Sequence, residues 1–236
     1  MRRYLVVDDN REFAENLAEI LRDQGDEAAI AGSGPEALSL ARQTRFDALL
    51  TDMRMPAMGG AQVVHAVRRI DPGLAALVIT AHVDDHDLEA ARREGLLAVL
   101  PKPVQVGRLL GLLALARRDG LVVVVEDDPA LSDNLTEALK ARGFAAVTAA
   151  SVLEAERLGP VRPFCALVDL RVPGGADGEA MRRLAERYPG LPMIVMTAHA
   201  EEAPPLPHRD LFRKPFDTAA LMAAVERLHG ERKGPP

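Results

Sequence analysis

Short apolar runs alternate along the chain with longer stretches in which apolar residues recur every three or four positions. In the first half, the short runs lie near 4–7, 27–31, 47–51, 75–80 and 96–100, and the longer stretches lie near 11–24, 34–44, 60–70, 84–94 and 104–117. The short runs are typical of buried strands and the longer stretches of amphipathic helices. Strands that alternate with helices predict a doubly wound α/β fold, with helices on both faces of a parallel sheet.

The second half of the chain repeats the pattern of the first. YLVVDD (4–9) matches VVVVED (122–127), FDALLTDMRMP (46–56) matches FCALVDLRVP (164–173), LVITAH (77–82) matches MIVMTAH (193–199), and LPKPV (100–104) matches FRKPF (212–216). The four landmarks keep their order at an offset of 112 to 118 residues. A repeat of this length predicts two domains, 1–119 and 120–236, each built on a parallel five-stranded sheet.

The amino-acid composition excludes several classes of function. Hydrophobic residues make up 48% of the chain and aromatic residues 3%, so both cores must be aliphatic. The formal net charge of -6 argues against a nucleic-acid partner, because a phosphate backbone needs a basic face. One cysteine excludes a disulfide within the chain. The first apolar run is too short for a signal peptide or a membrane span, so we expect a cytoplasmic protein without a membrane partner.

Polar residues with a common chemistry end the predicted strands. Ligands of doubly wound sheets bind at the carboxyl ends of the strands. In the first half these ends carry Asp8, Asp9, Asp52, Thr80 and Lys102. In the second half they carry Glu126, Asp127, Asp169, Thr197 and Lys214. Each half thus brings three carboxylates, one hydroxyl and one ammonium to one edge of its sheet.

Three neighbouring carboxylates repel one another unless a cation lies between them. Oxygen ligands favour Mg²⁺, and the strand ends hold no His or Cys cluster that would favour zinc. Aspartate is a competent nucleophile for phosphoryl transfer, and lysine can pair with phosphate oxygens while threonine donates a hydrogen bond to one. These residues therefore predict a phosphoryl-accepting aspartate in the first half.

The set DD, D, T and KP, with DMRMPAMGG (52–60) after the third strand, resembles the receiver domain of bacterial two-component response regulators. The resemblance covers nearly the whole chain, twice, and implies a flavodoxin-like (βα)5 fold. In the first half it implies that Asp52 is the phosphoacceptor, that Thr80 moves toward the phosphate and that Lys102 contacts it before a cis bond to Pro103. It also implies one Mg²⁺, with Mn²⁺ as an alternative ion, held by Asp8, Asp9, Asp52 and the backbone carbonyl of Arg54.

The same resemblance assigns the second half a complete site. Asp169 would be the phosphoacceptor, with Thr197 and Lys214 in the roles of the first threonine and lysine. The second Mg²⁺ would be held by Glu126, Asp127, Asp169 and the backbone carbonyl of Arg171. Glu126 stands where the first half has aspartate.

Two regions depart from the receiver pattern. The position three residues before the lysine is usually aromatic in receivers, but here it is Val99 or Leu211. From Thr80 to the first lysine is 22 positions, whereas from Thr197 to the second is 17. The shortened stretch contains three prolines, which break helix interiors. We therefore expect an irregular loop over 200–210 and a degenerate fourth helix in the second domain.

The resemblance implies two-component or phosphorelay signalling, with a phosphohistidine of a sensor kinase or phosphotransfer protein as the donor. The few residues after the second lysine leave no room for an effector domain, so we expect output by protein contact or phosphotransfer to a partner that the sequence does not name. The leucine-rich stretch 104–117 is apolar nearly all round, which indicates that it packs against the second domain or a second chain, or that it lies deep in the core. A homodimer would form through this stretch and 84–94. Catalysis would be limited to self-phosphorylation and autodephosphorylation.

Three alternative functions find different support in the sequence. An interaction scaffold whose second domain does not signal by phosphate stays open. A nucleotide-binding domain is excluded because no Gly-rich loop follows the first strand. A metal-dependent phosphatase would use the same residues, but nothing in the sequence indicates a separate substrate pocket.

Overall fold

The computed structural model describes residues 1–81, 95–159, 161–198 and 208–232. The chain divides into two compact units, of which the first holds Met1–Asp119 and the second begins at Gly120. The predicted helix over 84–94 and nearly all of the proline-containing segment 200–210 lie outside the described residues. Among the described residues, no helix is long and apolar enough to cross a membrane.

The first unit alternates strands and helices as its sequence pattern predicts. Its strands are β1 (Arg3–Val7), β2 (Glu27–Ala31), β3 (Ala48–Asp52), β4 (Ala75–Thr80) and β5 (Ala98–Pro101). Its described helices are α1 (Arg11–Asp23), α2 (Gly34–Gln43), α3 (Gly60–Ile70) and α4 (Val106–Leu115). The last helix is shorter at both ends than the leucine-rich stretch from which it was predicted.

The second unit repeats this order. Its strands are β6 (Leu121–Val125), β7 (Ala145–Ala149), β8 (Cys165–Asp169), β9 (Met193–Thr197) and β10 (Asp210–Arg213). Its described helices are α5 (Pro129–Lys140), α6 (Val152–Glu156), α7 (Glu179–Arg187) and α8 (Thr218–Arg232).

Both sheets are parallel and share one topology, which confirms the predicted doubly wound fold. The strand order is β2-β1-β3-β4-β5 in the first sheet and β7-β6-β8-β9-β10 in the second. In each sheet the first and third strands of the unit are neighbours at the centre. The carboxyl ends of these two strands therefore meet, and the strand order reverses between them.

Successive side chains of each strand enter cores on opposite faces of the sheet. In β1, Leu5 and Val7 join the cluster under α2 and α3, whereas Tyr4 and Val6 join the cluster under α1 and α4. All four are at most 2% exposed. Because both faces are covered, the strands are apolar along their length and the first polar residue comes where the strand ends.

The repeat extends to the capping of the second helix of each unit. Ser33 caps α2 and Ser151 caps α6, with each hydroxyl accepting from the backbone N–H three residues later, at 3.5 Å and 3.2 Å. The glutamates at those positions, Glu36 and Glu154, accept in turn from the backbone N–H of the residue before the serine, at 2.8 Å and 2.9 Å. Such reciprocal bonds satisfy backbone donors that a helix start leaves unpaired.

The aromatic residue two positions before the second lysine does not occupy the position that is usually aromatic in receivers. Phe212 packs against the core cluster under α5 and α8 and lies edge-on to Phe216, with ring centroids 6.2 Å apart. In the first unit Val99, at the usual aromatic position, packs against the cluster under α2 and α3. Phe212, one residue after the position that corresponds to Val99, therefore lies on the opposite face of its sheet from the usual aromatic position.

Candidate functional site

The first site lies where β1 and β3 end side by side. Val7 pairs with Thr51, so Asp8 and Asp52 follow at adjacent positions of the two strands. Lys102 reaches them from beyond the end of β5, with Nζ 2.7 Å from Asp8 Oδ2 and 3.2 Å from Asp52 Oδ1. One ammonium therefore bridges two carboxylates that lie far apart in the chain.

The second site is built in the same way. Val125 pairs with Val168, so Glu126 and Asp169 follow at adjacent strand ends. Nζ of Lys214 lies 2.9 Å and 2.7 Å from the two oxygens of Glu126 and 2.7 Å from Asp169 Oδ2. Here the lysine engages three carboxylate oxygens instead of two.

Backbone hydrogen bonds link each lysine to the threonine of the neighbouring strand. The amide of Lys102 donates to the carbonyl of Thr80, and that of Lys214 donates to the carbonyl of Thr197, both at 2.8 Å. Both threonines are 1% exposed. The peptide bond after each lysine is a cis bond to proline. This arrangement places hydroxyl, ammonium and carboxylates at one edge of each sheet.

The loop after β3 turns closely over the end of that strand. The amide of Gly60, the first residue of α3, donates to the carbonyl of Met53 at 2.8 Å. A Cβ at Gly60 would lie 2.2 Å from the carbonyl oxygen of Asp52, so a larger residue would displace the backbone. Glycine at this position allows α3 to begin directly against the acceptor strand.

The longer loop of the second unit carries its own ion pair. Nε of Arg171 lies 3.1 Å from Asp177 Oδ2, and the amide of Arg171 donates to Asp169 Oδ1 at 3.2 Å. The amide of Gly178 donates to the carbonyl of Leu170 at 2.9 Å and closes the loop. Asp177 has no counterpart in the shorter first loop, and its contact could not be read from the sequence.

Burial and opposite charges set the protonation of each site. Burial raises the pKa of Asp52 and of Glu126, and the adjacent lysine offsets part of this rise in each site. Burial lowers the pKa of Lys102 and of Lys214, but hydrogen bonds to the neighbouring carboxylates outweigh it, so that both lysine pKa values are raised overall. Both ammonium groups are therefore charged at neutral pH.

The acidic residues of each site fit a divalent cation. Each site has three acidic residues: Asp8, Asp9 and Asp52 in the first, and Glu126, Asp127 and Asp169 in the second. In each site the three residues offer one carboxylate oxygen apiece, and these oxygens lie within 4.8 Å of one another. One member of each group, Asp9 or Asp127, is exposed, so a hydrated ion has access from solvent. Three oxygen donors with room for waters are the ligands that Mg²⁺ prefers.

The structure places every strand-end residue that the sequence singled out at one of these two edges. Arg54 and Arg171 lie two residues beyond Asp52 and Asp169, and their carbonyls as metal ligands stay a prediction. Sequence reasoning missed Phe13, whose ring centroid lies 4.3 Å from Nζ of Lys102. The sequence shows a hydrophobic residue five positions after Asp8. It does not show the contact, because the contact depends on where the end of β5 places Lys102.

A family model described as the response regulator receiver domain matches the chain twice, over residues 4–114 and 122–226. A response regulator receiver protein of Anaeromyxobacter sp. (strain Fw109-5) is 77% identical over 232 residues, which is 98% of this chain and 97% of that protein. The probable transcriptional regulatory protein TcrX of Mycobacterium tuberculosis is 36% identical over 121 residues, 51% of this chain and 52% of that protein. The chain thus spans about half the length of this second relative.

Solved structures resemble single units of the chain. Chemotaxis protein CheY4 of Vibrio cholerae is 31% identical with a TM-score of 0.46, over 48% of this chain and 97% of that chain. The receiver domain of a sensor histidine kinase of Pseudomonas aeruginosa PAO1, solved with a magnesium ion in its active-site cleft, is 25% identical with a TM-score of 0.44, over 48% of this chain and 93% of that chain.

The two matches to the family model span most of the sequence, and the relative from Anaeromyxobacter matches it almost end to end. The chain therefore belongs to the response regulator receiver family and carries the receiver domain twice.

Proposed function

We propose that each receiver accepts a phosphoryl group from a phosphohistidine donor, on Asp52 in the domain 1–119 and on Asp169 in the domain 120–236. The observation that carries this proposal is the pairing of each aspartate, at the end of a central strand, with a charged lysine 3.2 Å or 2.7 Å away. Receivers act in two-component signalling and generally interact with histidine kinases or phosphotransfer proteins. That general role supports such a donor here.

The chemistry of the transfer follows from the side chains at the rim. A carboxylate oxygen of Asp52 attacks the phosphorus, the bond between phosphorus and the donor imidazole breaks, and an acyl phosphate forms while the electron pair returns to the imidazole. Lys102 lies where it can pair with the phosphoryl oxygens. Lys214 lies in the same position beside Asp169.

Receiver domains generally bind Mg²⁺ in an acidic site, and we propose one such ion in each domain. Asp8, Asp9 and Asp52 would hold it in the first domain, with the carbonyl of Arg54. Glu126, Asp127, Asp169 and the carbonyl of Arg171 would hold it in the second domain. When bound, the ion neutralises the charge that gathers around the acceptor.

The phosphoryl group changes the charge at the rim and thereby supplies a signal. It adds a charge of about -1.5 to -2 beside the bridging lysine. The lysine can then exchange a carboxylate partner for phosphate oxygens, and the threonine hydroxyl gains an acceptor. We propose that this exchange shifts a two-state equilibrium at the threonine and lysine of each rim, which is read by protein contact or by onward phosphotransfer.

Labelling with a small phosphodonor tests the proposal. The full chain, incubated with acetyl phosphate and Mg²⁺, should gain two hydroxylamine-sensitive phosphates, seen as two mass increments. Asp52→Asn and Asp169→Asn should each lose one, the double variant should lose both, and a chelator should prevent both. Asp133→Asn, at an exposed position of α5, serves as the matched control and should label like the wild type.

Two results would count against the proposal in different ways. Label that persists in the double variant would show that other residues accept the phosphate. One phosphate, lost entirely in Asp52→Asn, would favour the alternative of a scaffold whose second receiver does not signal by phosphorylation. This alternative is supported by the contacts of Lys214 with both oxygens of Glu126, because a lysine engaged in this way is less available to a phosphoryl group.

A further inference from the structure

The site lysine makes different contacts in the two receivers, although the acidic residues of the two sites match in number and placement. We propose that Lys214 competes with Mg²⁺ for the carboxylates of the second receiver, so that this receiver loads with metal at a higher Mg²⁺ concentration than the first. The inference rests on the proposed metal sites and adds an order in which they fill.

In the first receiver the ammonium of Lys102 is shared between acids and an aromatic ring. It lies 2.7 Å from Asp8, 3.2 Å from Asp52 and 4.3 Å from the centroid of Phe13. The face of an aromatic ring attracts a cation without offering a ligand that a metal needs. The contact between Lys102 and the Phe13 ring can therefore persist when a metal ion binds the carboxylates.

The second receiver replaces that aromatic contact with carboxylate oxygens. Leu131 stands at the position of Phe13 and packs, partly buried, against the core under α5 and α8. The ammonium of Lys214 instead contacts both oxygens of Glu126 and one of Asp169, all within 2.9 Å. The extra methylene of glutamate lets its whole carboxylate reach the lysine. Lys214 thus contacts three oxygens of the proposed metal ligands, whereas Lys102 contacts two.

Formal charge does not explain why the second site should bind Mg²⁺ more weakly than the first. Each site combines three carboxylates with one lysine. The additional Asp128 beside the second site caps α5, accepting from the amides of Ala130 and Leu131 at 2.9 Å and 3.3 Å. Arg171 stands where the first receiver has Arg54, so Asp177, which pairs with Arg171, makes the second rim more negative. Extra negative charge would strengthen cation binding, which is the opposite of the expected difference. The geometry of the lysine is therefore what distinguishes the two sites.

The size of the effect follows from the bonds that metal must displace. Loss of one hydrogen bond to a charged group shifts an equilibrium by about tenfold or more. The second receiver has one more such bond between lysine and metal ligands than the first. We therefore expect its dissociation constant for Mg²⁺ to be about tenfold higher.

Calorimetric titration of the full chain with Mg²⁺, and electron paramagnetic resonance with Mn²⁺, measure the two sites separately from phosphorylation. Asp9→Ala removes the first site and reports the second, and Asp127→Ala does the reverse. The expected result is about tenfold weaker binding in Asp9→Ala than in Asp127→Ala. Equal affinities, or tighter binding in Asp9→Ala, would overturn the inference.

Reciprocal exchange of the differing residues supplies the matched variants. In the Asp9→Ala background, Glu126→Asp with Leu131→Phe should tighten binding several-fold. In the Asp127→Ala background, Asp8→Glu with Phe13→Leu should weaken it several-fold. Circular dichroism checks that each variant is folded. Exchanges that leave both affinities unchanged would overturn the role assigned to the lysine contacts.

Neutralising the lysines gives an independent measurement. Both Lys102→Gln and Lys214→Gln make their sites more negative, but only the second also frees a fully engaged glutamate. Lys214→Gln should therefore tighten Mg²⁺ binding by a larger factor than Lys102→Gln, and an equal or smaller factor would contradict the proposal. Phosphate labelling at excess Mg²⁺ tests the proposed function itself, so that failure of either idea can be told from failure of the other.

Discussion

Buried polar residues of the second receiver divide into those that serve the site and those that serve the core. Glu126 and Asp169 are buried with a lysine as partner, which offsets the cost of removing their charges from water. His229 is 3% exposed and lies edge-on to the rings of Phe144 and Phe164, with centroids 5.4 Å and 5.0 Å away. Because it contacts these two rings, His229 contributes to the packing of the core.

The single cysteine belongs to the core and should be chemically inert in the folded chain. Cys165 is fully buried in β8, and burial raises the pKa of its thiol, so the reactive thiolate is suppressed. We expect no reaction with a thiol reagent at mildly alkaline pH in the native state and one thiol per chain in concentrated guanidinium chloride. Ser39→Cys, at an exposed position of α2, is the control that should react at once. Rapid native labelling of Cys165 would contradict its burial.

At the scale of elements, glycine has opposite consequences in two helices of the first receiver. Gly60 begins α3 against the acceptor strand, where an added Cβ would meet backbone atoms. Gly111 lies in α4 with nothing within 4 Å of the position of an added Cβ. The first glycine is required by a close approach, whereas the second only lowers the helix propensity of its segment.

Alanine at these two positions should therefore act in opposite directions. Gly60→Ala should lower the free energy of unfolding by about 1–3 kcal/mol, the usual cost of overpacking, and should slow phosphorylation of Asp52 by displacing its carbonyl. Gly111→Ala should raise the free energy of unfolding by about 0.5–1 kcal/mol and leave phosphorylation unchanged. Urea unfolding and the labelling rate measure both effects. Destabilisation by Gly111→Ala would show that its surroundings are more crowded than the structure indicates.

At the scale of the whole molecule, each of the described core clusters is built from one half of the chain. The two clusters of the first receiver draw on residues of Met1–Asp119 alone, and the cluster under α5 and α8 draws only on residues from Val122 onward. Leu50 and Leu167 stand two residues before their respective acceptor aspartates, and each is 0% exposed. They offer equivalent positions at which to disturb one core at a time.

Truncating either leucine should weaken its own sheet selectively. Leu50→Ala and Leu167→Ala should each cost about 2–5 kcal/mol, because buried methyl groups are lost and a cavity remains. Hydrogen exchange should lose protection in β1–β5 for the first variant and in β6–β10 for the second. If Leu50→Ala reduced protection equally in both sheets, the two cores would not be energetically distinct.

Much of the molecule was predictable from local pattern. The alternation of apolar runs and amphipathic stretches specifies strands and helices, and in a parallel sheet the strand ends meet at one edge wherever they lie in the chain. Asp8, Asp52 and Lys102 could therefore be grouped before their distances were known. The same residue types at a constant offset indicated that the second receiver repeats the first.

The sequence by itself determined the fold class, the repeat and the set of residues at each rim, because these depend on periodicity and on where each strand ends. Only the tertiary structure decided that Phe13 faces Lys102 while both oxygens of Glu126 contact Lys214, and that His229 lies edge-on to two stacked phenylalanines. Such contacts join residues far apart in the chain. They depend on the register of neighbouring strands and on the volume left between packed layers, which no short stretch of sequence specifies.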